Sequence, residues 1–334
     1  DDQKPEKMRS GIDNVVPLGN PSDSLLYYCN EGAGDLIYRS DEHGFHNPKG
    51  QWNRDDVDII AIGDSYVQGA CVSTKDNVVE WIRRDFPHVI NLGSGGNGPL
   101  LMYAGLREYG APMRPDTVLW FFYQNDLIDI KDEIGNEILI RYLEDSEFTQ
   151  NLIDRQQNID EFLKRKIDNT LENVSMLWNV RIGNIVSQAA KDTFLLRGLR
   201  HLIYGSSPDA GSDKKAGTMR TDSSYHLLSH LLVKANSLVE SWEGNMVVVF
   251  LPDRWSITEE GGESVVLDNI KRITQDVDIP LIDLTQAFLS EPNRGALFPS
   301  NEGHYSARGY HVAGREISAW LQSGTANGRA NEGN

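Results

Sequence analysis

Short apolar runs alternate with amphipathic segments along most of the chain. Strand-length runs occupy Val57–Ile62, Val118–Tyr123 and Met246–Leu251, and shorter ones lie at Val89–Leu92 and Pro280–Leu284. Strands that are apolar throughout are typical of a sheet covered on both faces. The pattern predicts an α/β protein with three layers, α/β/α, around a doubly wound, mostly parallel sheet of about five strands.

The segments between these runs carry apolar residues at helical spacing. In the first of them the apolar positions are Val78, Val79, Ile82 and Phe86. Residues three and four apart lie on one face of a helix, so such spacing predicts a helix with one buried side. Helices are predicted in this way over residues 76–86, 100–109, 225–242, 264–276 and 308–322.

Composition divides the chain into one main domain and several additions. Residues 1–50 are rich in Pro, Gly, Asn and Asp and predict an irregular arm packed on the core. Residues 51–325 form the single main domain, with a helical insertion at about 131–204. The Gly- and Ser-rich segment at about 205–221 predicts a mobile surface loop. Residues 326–334 are expected to be a disordered tail.

The net charge of the chain limits the classes of molecule that we expect it to bind. Lys and Arg number 32 against 49 Asp and Glu, a formal net charge of −17. Such a surface repels phosphate backbones and anionic membranes, which argues against nucleic acid as a partner and favours a neutral substrate. The charged run Asp129–Glu137 predicts solvated surface. The oligomeric state is left open.

The chain shows no sign of a membrane helix, because no apolar run approaches the roughly 18 residues that one needs. It begins with Asp1 rather than Met, and we expect an export signal or a membrane tether to have preceded it. Two cysteines, Cys29 and Cys71, can form one bridge in an oxidising compartment or remain free thiols. They are too few for a Cys-rich zinc site, and no metal or cofactor is predicted.

A serine follows the first predicted core strand. Gly63-Asp64-Ser65 stands where the apolar run ends and the next helical pattern is about to begin. Ligands of parallel sheets bind outside the carboxyl ends of the strands. Free N–H groups at a helix start favour negative charge, which suits an attacking oxygen and an oxyanion. The alternative is that Ser65 only caps a helix. The spacing does not fit the Gly-x-Ser-x-Gly turn of α/β-hydrolases.

Two further polar segments follow the next two strands. The segment Gly93–Pro99 can bring backbone N–H groups close to a ligand, or it can be a tight turn between strand and helix. It lacks the Gly-Lys-Ser/Thr ending of a nucleotide-binding loop. The segment Tyr123–Asp126 places the Asn125 amide where it can donate to an oxyanion, or where it only forms an Asx turn.

A histidine precedes the last predicted helix. His304 follows Glu302 by two residues and Asn301 by three. A carboxylate beside a histidine can orient the ring so that it acts as a general base. A lone histidine is otherwise most often structural.

The four segments, in the order serine, glycine loop, Asn-Asp and carboxylate-histidine, resemble the SGNH (GDSL-type) hydrolase family. The resemblance covers roughly residues 55–126 and 245–320 and leaves out the helical insertion. It implies a flavodoxin-like α/β fold. Residues Tyr38–Asn47 are similar to a stretch that precedes the serine segment in many exported bacterial members. This favours an exported protein, periplasmic or extracellular, over a cytoplasmic one.

The resemblance also implies roles for individual residues. Ser65 matches the nucleophile and His304 the general base. The backbone N–H groups of Ser65 and Gly96, the latter five residues after Asn91, match the oxyanion hole, together with the Asn125 side chain. The candidate supporting residues are Asp64, Asp126 and Asn301.

This chain departs from the family pattern in two places. Tyr123 replaces the usual Gly of the third segment, where related exported proteins often have an aromatic residue. The Asp that should precede His304 is absent, and Glu302 and Asn301 stand at its two usual positions. Glu can replace Asp as the orienting group, so we expect Glu302 to orient His304. A backbone carbonyl or another acid is the alternative, and Asp283 is expected to be structural.

The function that the resemblance implies is a serine esterase working through an acyl-enzyme. The exported-type resemblance and the lack of a long apolar lid favour O-acyl groups, O-acetyl above all, of a carbohydrate or polysaccharide. Two alternatives remain. One is an O-acyltransferase that uses the same site on a glycan acceptor. The other is a non-catalytic carbohydrate-binding or assembly module that keeps the fold.

Overall fold

The core of the protein is a five-stranded parallel sheet. A computed structural model describes residues 15–29, 36–53, 57–178, 217–258, 264–299 and 303–324, with the backbone alone at 53, 170–178 and 217–222. Within this described part the strands lie in the order β4-β3-β5-β6-β7 and pair in parallel. Their bounds are β3 Ile59–Ile62, β4 Val89–Asn91, β5 Thr117–Phe122, β6 Asn245–Phe250 and β7 Leu281–Asp283. The predicted doubly wound α/β fold is confirmed.

Helices cover both faces of this sheet. Successive side chains of a strand point to opposite faces, so Trp120 and Phe122 enter one apolar layer while Leu119 and Phe121 enter the other. No described helix is long and apolar enough to span a membrane. The helices are α1 Ser65–Gln68, α2 Val78–Arg83, α3 Pro99–Gly105, α4 Ala111–Met113, α5 Asp126–Glu133, α6 Glu137–Glu144, α7 Gln156–Trp178, α8 Gly217–Glu240, α9 Arg254–Thr258, α10 Val265–Asp276, α11 Thr285–Leu289 and α12 Ala307–Gln322.

The order of the strands places a topological switch point between β3 and β5. From β3 the chain first moves outward to β4, then returns to the other side of β3 as β5 and continues outward through β6 and β7. A crevice forms where the order reverses, outside the carboxyl ends of the strands. The residues after β3 and β5 therefore face each other across this crevice.

The N-terminal arm contains a hairpin that the sequence analysis missed. Strands β1 Leu25–Cys29 and β2 Leu36–Arg39 pair antiparallel. Leu26, Tyr28, Leu36 and Tyr38 are buried. A disulfide joins Cys29 to Cys71, whose Cα atoms are 5.3 Å apart. This settles the state of the two cysteines. The alternation in strands of five and four residues was too short to stand out among turn residues.

The segment expected to be a mobile loop at 205–221 is partly helical. Helix α8 already begins at Gly217, whereas residues 205–216 lie outside the described residues. In the later turns of α8, the side chains of Leu228, Leu231 and Ala235 are buried. Because helix growth is cooperative, a well-packed helix extends into residues of weak propensity. Residues 179–204 of the expected insertion and the tail at 326–334 also lie outside the described residues.

Candidate active site

Ser65 lies within hydrogen-bond distance of His304 at the switch point. Ser65 is the first residue of α1 and comes three residues after the end of β3. The carboxylate of Asp64 caps this helix by accepting a hydrogen bond of 2.9 Å from the Tyr66 N–H. The Nε2 atom of His304 lies 2.7 Å from the Ser65 Oγ. The first and last of the four sequence segments thus meet at one point.

The loop before α12 holds His304 in this position. The next residue, Tyr305, is fully buried and donates a hydrogen bond of 2.7 Å from its hydroxyl to the Pro252 carbonyl, beyond the end of β6. Ser306 donates its N–H to the Leu297 carbonyl at 2.8 Å and caps α12 by accepting from the Gly309 N–H. These bonds fix the backbone on the C-terminal side of the histidine.

Aromatic and sulfur atoms surround the imidazole. The Tyr66 ring lies 4.9 Å from the His304 ring, centroid to centroid, and 4.5 Å from that of Tyr123. Burial raises the pKa of the Tyr66 phenol well above its usual value, so this phenol stays neutral. The Sγ atom of Cys71 lies 3.9 Å from His304 Nδ1. The Cys29–Cys71 disulfide is therefore part of the wall around the histidine.

The glycine loop, Gly93–Pro99, is bonded to the strand that precedes Ser65. The Ser94 N–H donates to the Gly63 carbonyl at 3.2 Å, and the Asn91 side chain accepts from the Gly93 N–H at 2.7 Å. Gly96 is exposed and has a φ of 76°, a left-handed conformation that glycine adopts readily. The loop therefore presents Gly96 on the same edge of the sheet as Ser65.

The Asn125 amide lies beside the serine segment but is bonded to carboxylates. Its Nδ2 donates to Asp129 Oδ2 at 2.9 Å and to Asp64 Oδ2 at 3.3 Å. An amide nitrogen has two hydrogens. Donation to an oxyanion therefore requires the substrate oxygen to replace one of these carboxylates.

Buried acids lie behind this amide. Burial raises the pKa of Asp64, while bonds from Tyr66 and Asn125 and the charge of His304 act in the opposite direction. Burial raises the pKa of Asp126 well above its usual value, and the charges of Asp64 and Asp129 add to the effect. Carboxyls that keep their protons to higher pH limit the negative charge around a developing oxyanion.

Glu133 fixes the far end of the glycine loop. Its carboxylate accepts hydrogen bonds from the Gly98 N–H at 2.7 Å and the Leu100 N–H at 2.8 Å, at the start of α3. Burial raises the pKa of Glu133 to about 8, against the effect of these bonds. The run Asp129–Glu137 was predicted to be solvated, which is wrong for Glu133 because its side chain turns under the loop.

The structure brings together most of the residues that the sequence singled out. Ser65, His304, Asp64, Asn125 and Asp126 lie around the carboxyl ends of β3 and β5. Glu302 and Asn301 lie outside the described residues. The part of the chain that the structure describes holds no cluster of three or more His, Cys, Asp or Glu side chains suited to a metal ion.

Asp283, which was expected to be structural, forms an ion pair with Lys271 at 2.9 Å and accepts a hydrogen bond from the Thr285 N–H.

Two contributors to the site, Gln68 and Tyr38, were missed from the sequence. Gln68 is buried and accepts a hydrogen bond from the glycine loop, and Tyr38 is buried and accepts one from Gln68. A polar side chain three residues after Ser65, in an otherwise apolar helical segment, was the signal available for Gln68.

Comparison with solved structures finds bacterial acylhydrolases at low similarity. No family model and no curated protein matches this sequence. A lipase/acylhydrolase from Enterococcus faecalis is 14% identical, with a TM-score of 0.43, covering 80% of this chain and 95% of that one. A lipolytic protein of the G-D-S-L family from Veillonella parvula is 14% identical, with a TM-score of 0.43, covering 79% and 98%. A catalytic mutant of an acetylxylan esterase from Geobacillus stearothermophilus is 13% identical, with a TM-score of 0.38, covering 78% and 91%.

Proposed function

We propose that the protein is a serine esterase that removes O-acyl groups, above all O-acetyl groups, from a carbohydrate. The observation that carries this proposal is the distance of 2.7 Å between Ser65 Oγ and His304 Nε2. A serine hydroxyl is a weak nucleophile until an adjacent base accepts its proton. This pair lies at the carboxyl edge of a parallel sheet, where such folds place their sites.

The reaction proceeds through an acyl-enzyme. Ser65 Oγ attacks the ester carbonyl while His304 Nε2 takes its proton, and a tetrahedral oxyanion forms. The N–H groups of Ser65 and Gly96 and the Asn125 amide donate to that oxyanion. His304 then protonates the leaving alcohol as the C–O bond breaks. In the second half, His304 takes a proton from water, whose oxygen attacks the acyl carbonyl. His304 then returns the proton to Ser65 Oγ as the bond between that oxygen and the acyl carbon breaks, which releases the acid and restores Ser65.

The charge of the protein supports a neutral substrate. The net charge is −17, and the Asp129 carboxylate accepts a hydrogen bond from the Asn125 amide at the site. An anionic ester would meet repulsion here, whereas an O-acetylated sugar would not. The Trp255 indole on α9 follows β6 at the same edge of the sheet and is 66% exposed. A flat exposed ring of this kind supports a carbohydrate as the alcohol part of the ester.

The disulfide supports an exported protein, periplasmic or extracellular. Cys29 and Cys71 are bonded to each other. Such bridges persist in oxidising compartments and are rare in the cytosol. The proposal therefore places the carbohydrate substrate outside the cytoplasm as well.

Hydrolysis of p-nitrophenyl acetate, butyrate and octanoate, and acetate release from an O-acetylated oligosaccharide, test this proposal. We expect acetate to be the preferred acyl group and Ser65→Ala to abolish turnover and covalent labelling by a fluorophosphonate. Ser73→Ala, at an exposed serine eight positions further, is the matched control. Equal turnover by wild type and Ser65→Ala would refute the nucleophile. Preference for octanoate would refute the acetyl assignment, and acyl transfer to a sugar in place of water would indicate a transferase.

A further inference from the structure

A glutamine that takes no part in the proposed reaction joins the nucleophile helix to the glycine loop. Gln68, the last residue of α1, has a fully buried side chain. Its Oε1 accepts a hydrogen bond of 2.5 Å from the Gly95 N–H. Its Nε2 donates a hydrogen bond of 2.6 Å to the Tyr38 hydroxyl, on strand β2. Both the oxygen and the nitrogen of the side-chain amide therefore form hydrogen bonds.

The loop is held at Gly95 from two sides. A Cβ atom at Gly95 would lie 2.3 Å from the Tyr28 hydroxyl and 3.3 Å from Gln68 Oε1, so the backbone touches both side chains. Gly96 follows directly with a φ of 76° and is exposed. The planar peptide that carries the Gly96 N–H is oriented by the φ and ψ angles of Gly95. The hydrogen bond that Gln68 accepts from the Gly95 N–H and the contact of Tyr28 with the Gly95 backbone restrict these two angles, and with them the direction of the Gly96 N–H.

The main chain of Gln68 is fixed as well. Its carbonyl oxygen accepts a hydrogen bond of 2.7 Å from His46 Nδ1, and the His46 ring stacks on Tyr38 at 3.8 Å between centroids. The Gln68 amide thus connects the N-terminal arm, where Tyr38 and His46 hold it, to the glycine-rich backbone of the loop at Gly95. Glycine-rich backbone has many accessible conformations, so it gains most from such a contact.

We infer that Gln68 is a positioning residue that sets the Gly96 N–H for oxyanion binding, with Tyr38 of the hairpin as its support. The inference rests on the proposed esterase function. Oxyanion donors act because they are aimed before the charge develops, and a displacement of about 1 Å can cost about 100-fold in rate. The role of Gln68 is exerted through Gly95 and not by contact with the substrate.

The test compares Gln68→Met with the same change at Gln150. Gln150 is also buried, accepts from the Val16 N–H at 2.8 Å and donates to the Tyr142 hydroxyl at 2.9 Å, but its partners lie outside the four segments of the site. Met keeps the volume and removes the polar atoms in both cases. Gln150→Met loses the corresponding two bonds and a longer one of 3.3 Å to the Val16 carbonyl, so the control loses at least as much bonding. Only Gln68 lies beside the glycine loop.

We expect Gln68→Met to lower kcat about 10- to 100-fold with little change in KM, and to slow fluorophosphonate labelling in proportion. Gln150→Met should lower the melting temperature while kcat per folded molecule stays unchanged. Gln68→Glu should recover most of the rate, because a carboxylate can accept from both the Gly95 N–H and the Tyr38 hydroxyl.

An unchanged kcat in Gln68→Met would overturn the inference. If Gln68→Met does not fold, Tyr38→Phe, which removes one hydroxyl, decides the question: a lower kcat at unchanged KM supports the inference and an unchanged kcat refutes it. Ser65→Ala is measured in parallel. Turnover that survives in Ser65→Ala would refute the esterase itself, whereas loss in Ser65→Ala with full activity in Gln68→Met would refute only the role of Gln68.

Discussion

The disulfide sulfur of Cys71 lies 3.9 Å from the Nδ1 atom of His304. The same bond attaches the β1–β2 hairpin to the turn that follows the nucleophile helix. That hairpin supplies Tyr38 to Gln68, which binds the glycine loop. The Cys29–Cys71 disulfide therefore contacts the His304 ring directly and supports the glycine loop indirectly, through Tyr38 and Gln68.

Breaking this link should weaken both stability and turnover. A bridge across 42 residues is expected to contribute about 2–4 kcal/mol to the free energy of unfolding. The variant with Cys29→Ser and Cys71→Ser should unfold at lower urea concentration and show a lower kcat, because the hairpin no longer fixes the wall of the site. Urea titrations and ester hydrolysis measure the two effects. A dithiol reductant should do the same to the wild type and nothing further to the variant. An unchanged urea midpoint in the variant would contradict this account.

Glu302 remains the predicted orienting group for His304. Replacing it by Gln keeps the shape and removes the charge that stabilises an imidazolium, so kcat should fall about 100- to 10,000-fold. Steady-state hydrolysis of p-nitrophenyl acetate measures this. Asp283→Asn is the control, because the Asp283 carboxylate is paired with Lys271 instead. Full activity in Glu302→Gln would show that another group orients the ring.

The Asn125 amide is expected to donate a hydrogen bond to the oxyanion only after it gives up its bond to Asp129 or Asp64. Asn125→Ala should lower kcat about 100- to 1,000-fold with KM little changed, the usual effect of losing one oxyanion donor. Asp129→Ala should raise kcat, because it frees the N–H that Asp129 Oδ2 now accepts and removes a negative charge nearby. Kinetics of the two variants under identical conditions check both signs. A fall in Asp129→Ala would show that this carboxylate positions the amide.

His46 should make the protein less stable in mild acid. Burial, aided by the charge of Arg83, lowers its pKa to about 4, and the neutral ring is bonded to Gln68 and Thr74. The unfolded chain takes up this proton near pH 6.5, whereas the folded protein does so only near pH 4. Its contribution to stability is therefore present above pH 6.5 and is lost as the pH falls from 6.5 to 4.

The size of this effect is measurable by comparison with His46→Gln. Between pH 7.5 and pH 5 the wild type should lose about 2 kcal/mol more unfolding free energy than the variant, which has no proton to gain at this position. Urea titrations at both pH values give the difference. Parallel losses in the two proteins would contradict the lowered pKa.

The sequence by itself determined the layers of the fold and the order of the chemical groups. Runs such as Val118–Phe122 are apolar at every position because both sheet faces are covered, and this pattern is local. The polar residues Ser65 and Asn125 each come three residues after their strands end, so their place at the carboxyl edge also follows from local order. Only the resemblance to SGNH hydrolases joined these segments to His304, which is 239 positions from Ser65.

Only the tertiary structure decided which polar groups meet. The Cys29–Cys71 bridge and the contact of Gln68 with Gly95 join residues 42 and 27 positions apart, and neither has a periodic signal in the sequence. Glu133 was misjudged for the same reason, since its neighbours in the chain are charged while its partners belong to α3. A pattern records which faces are buried, because burial repeats with the period of a helix or strand. A single hydrogen bond between distant segments leaves no period, so it is fixed only once the chain has folded.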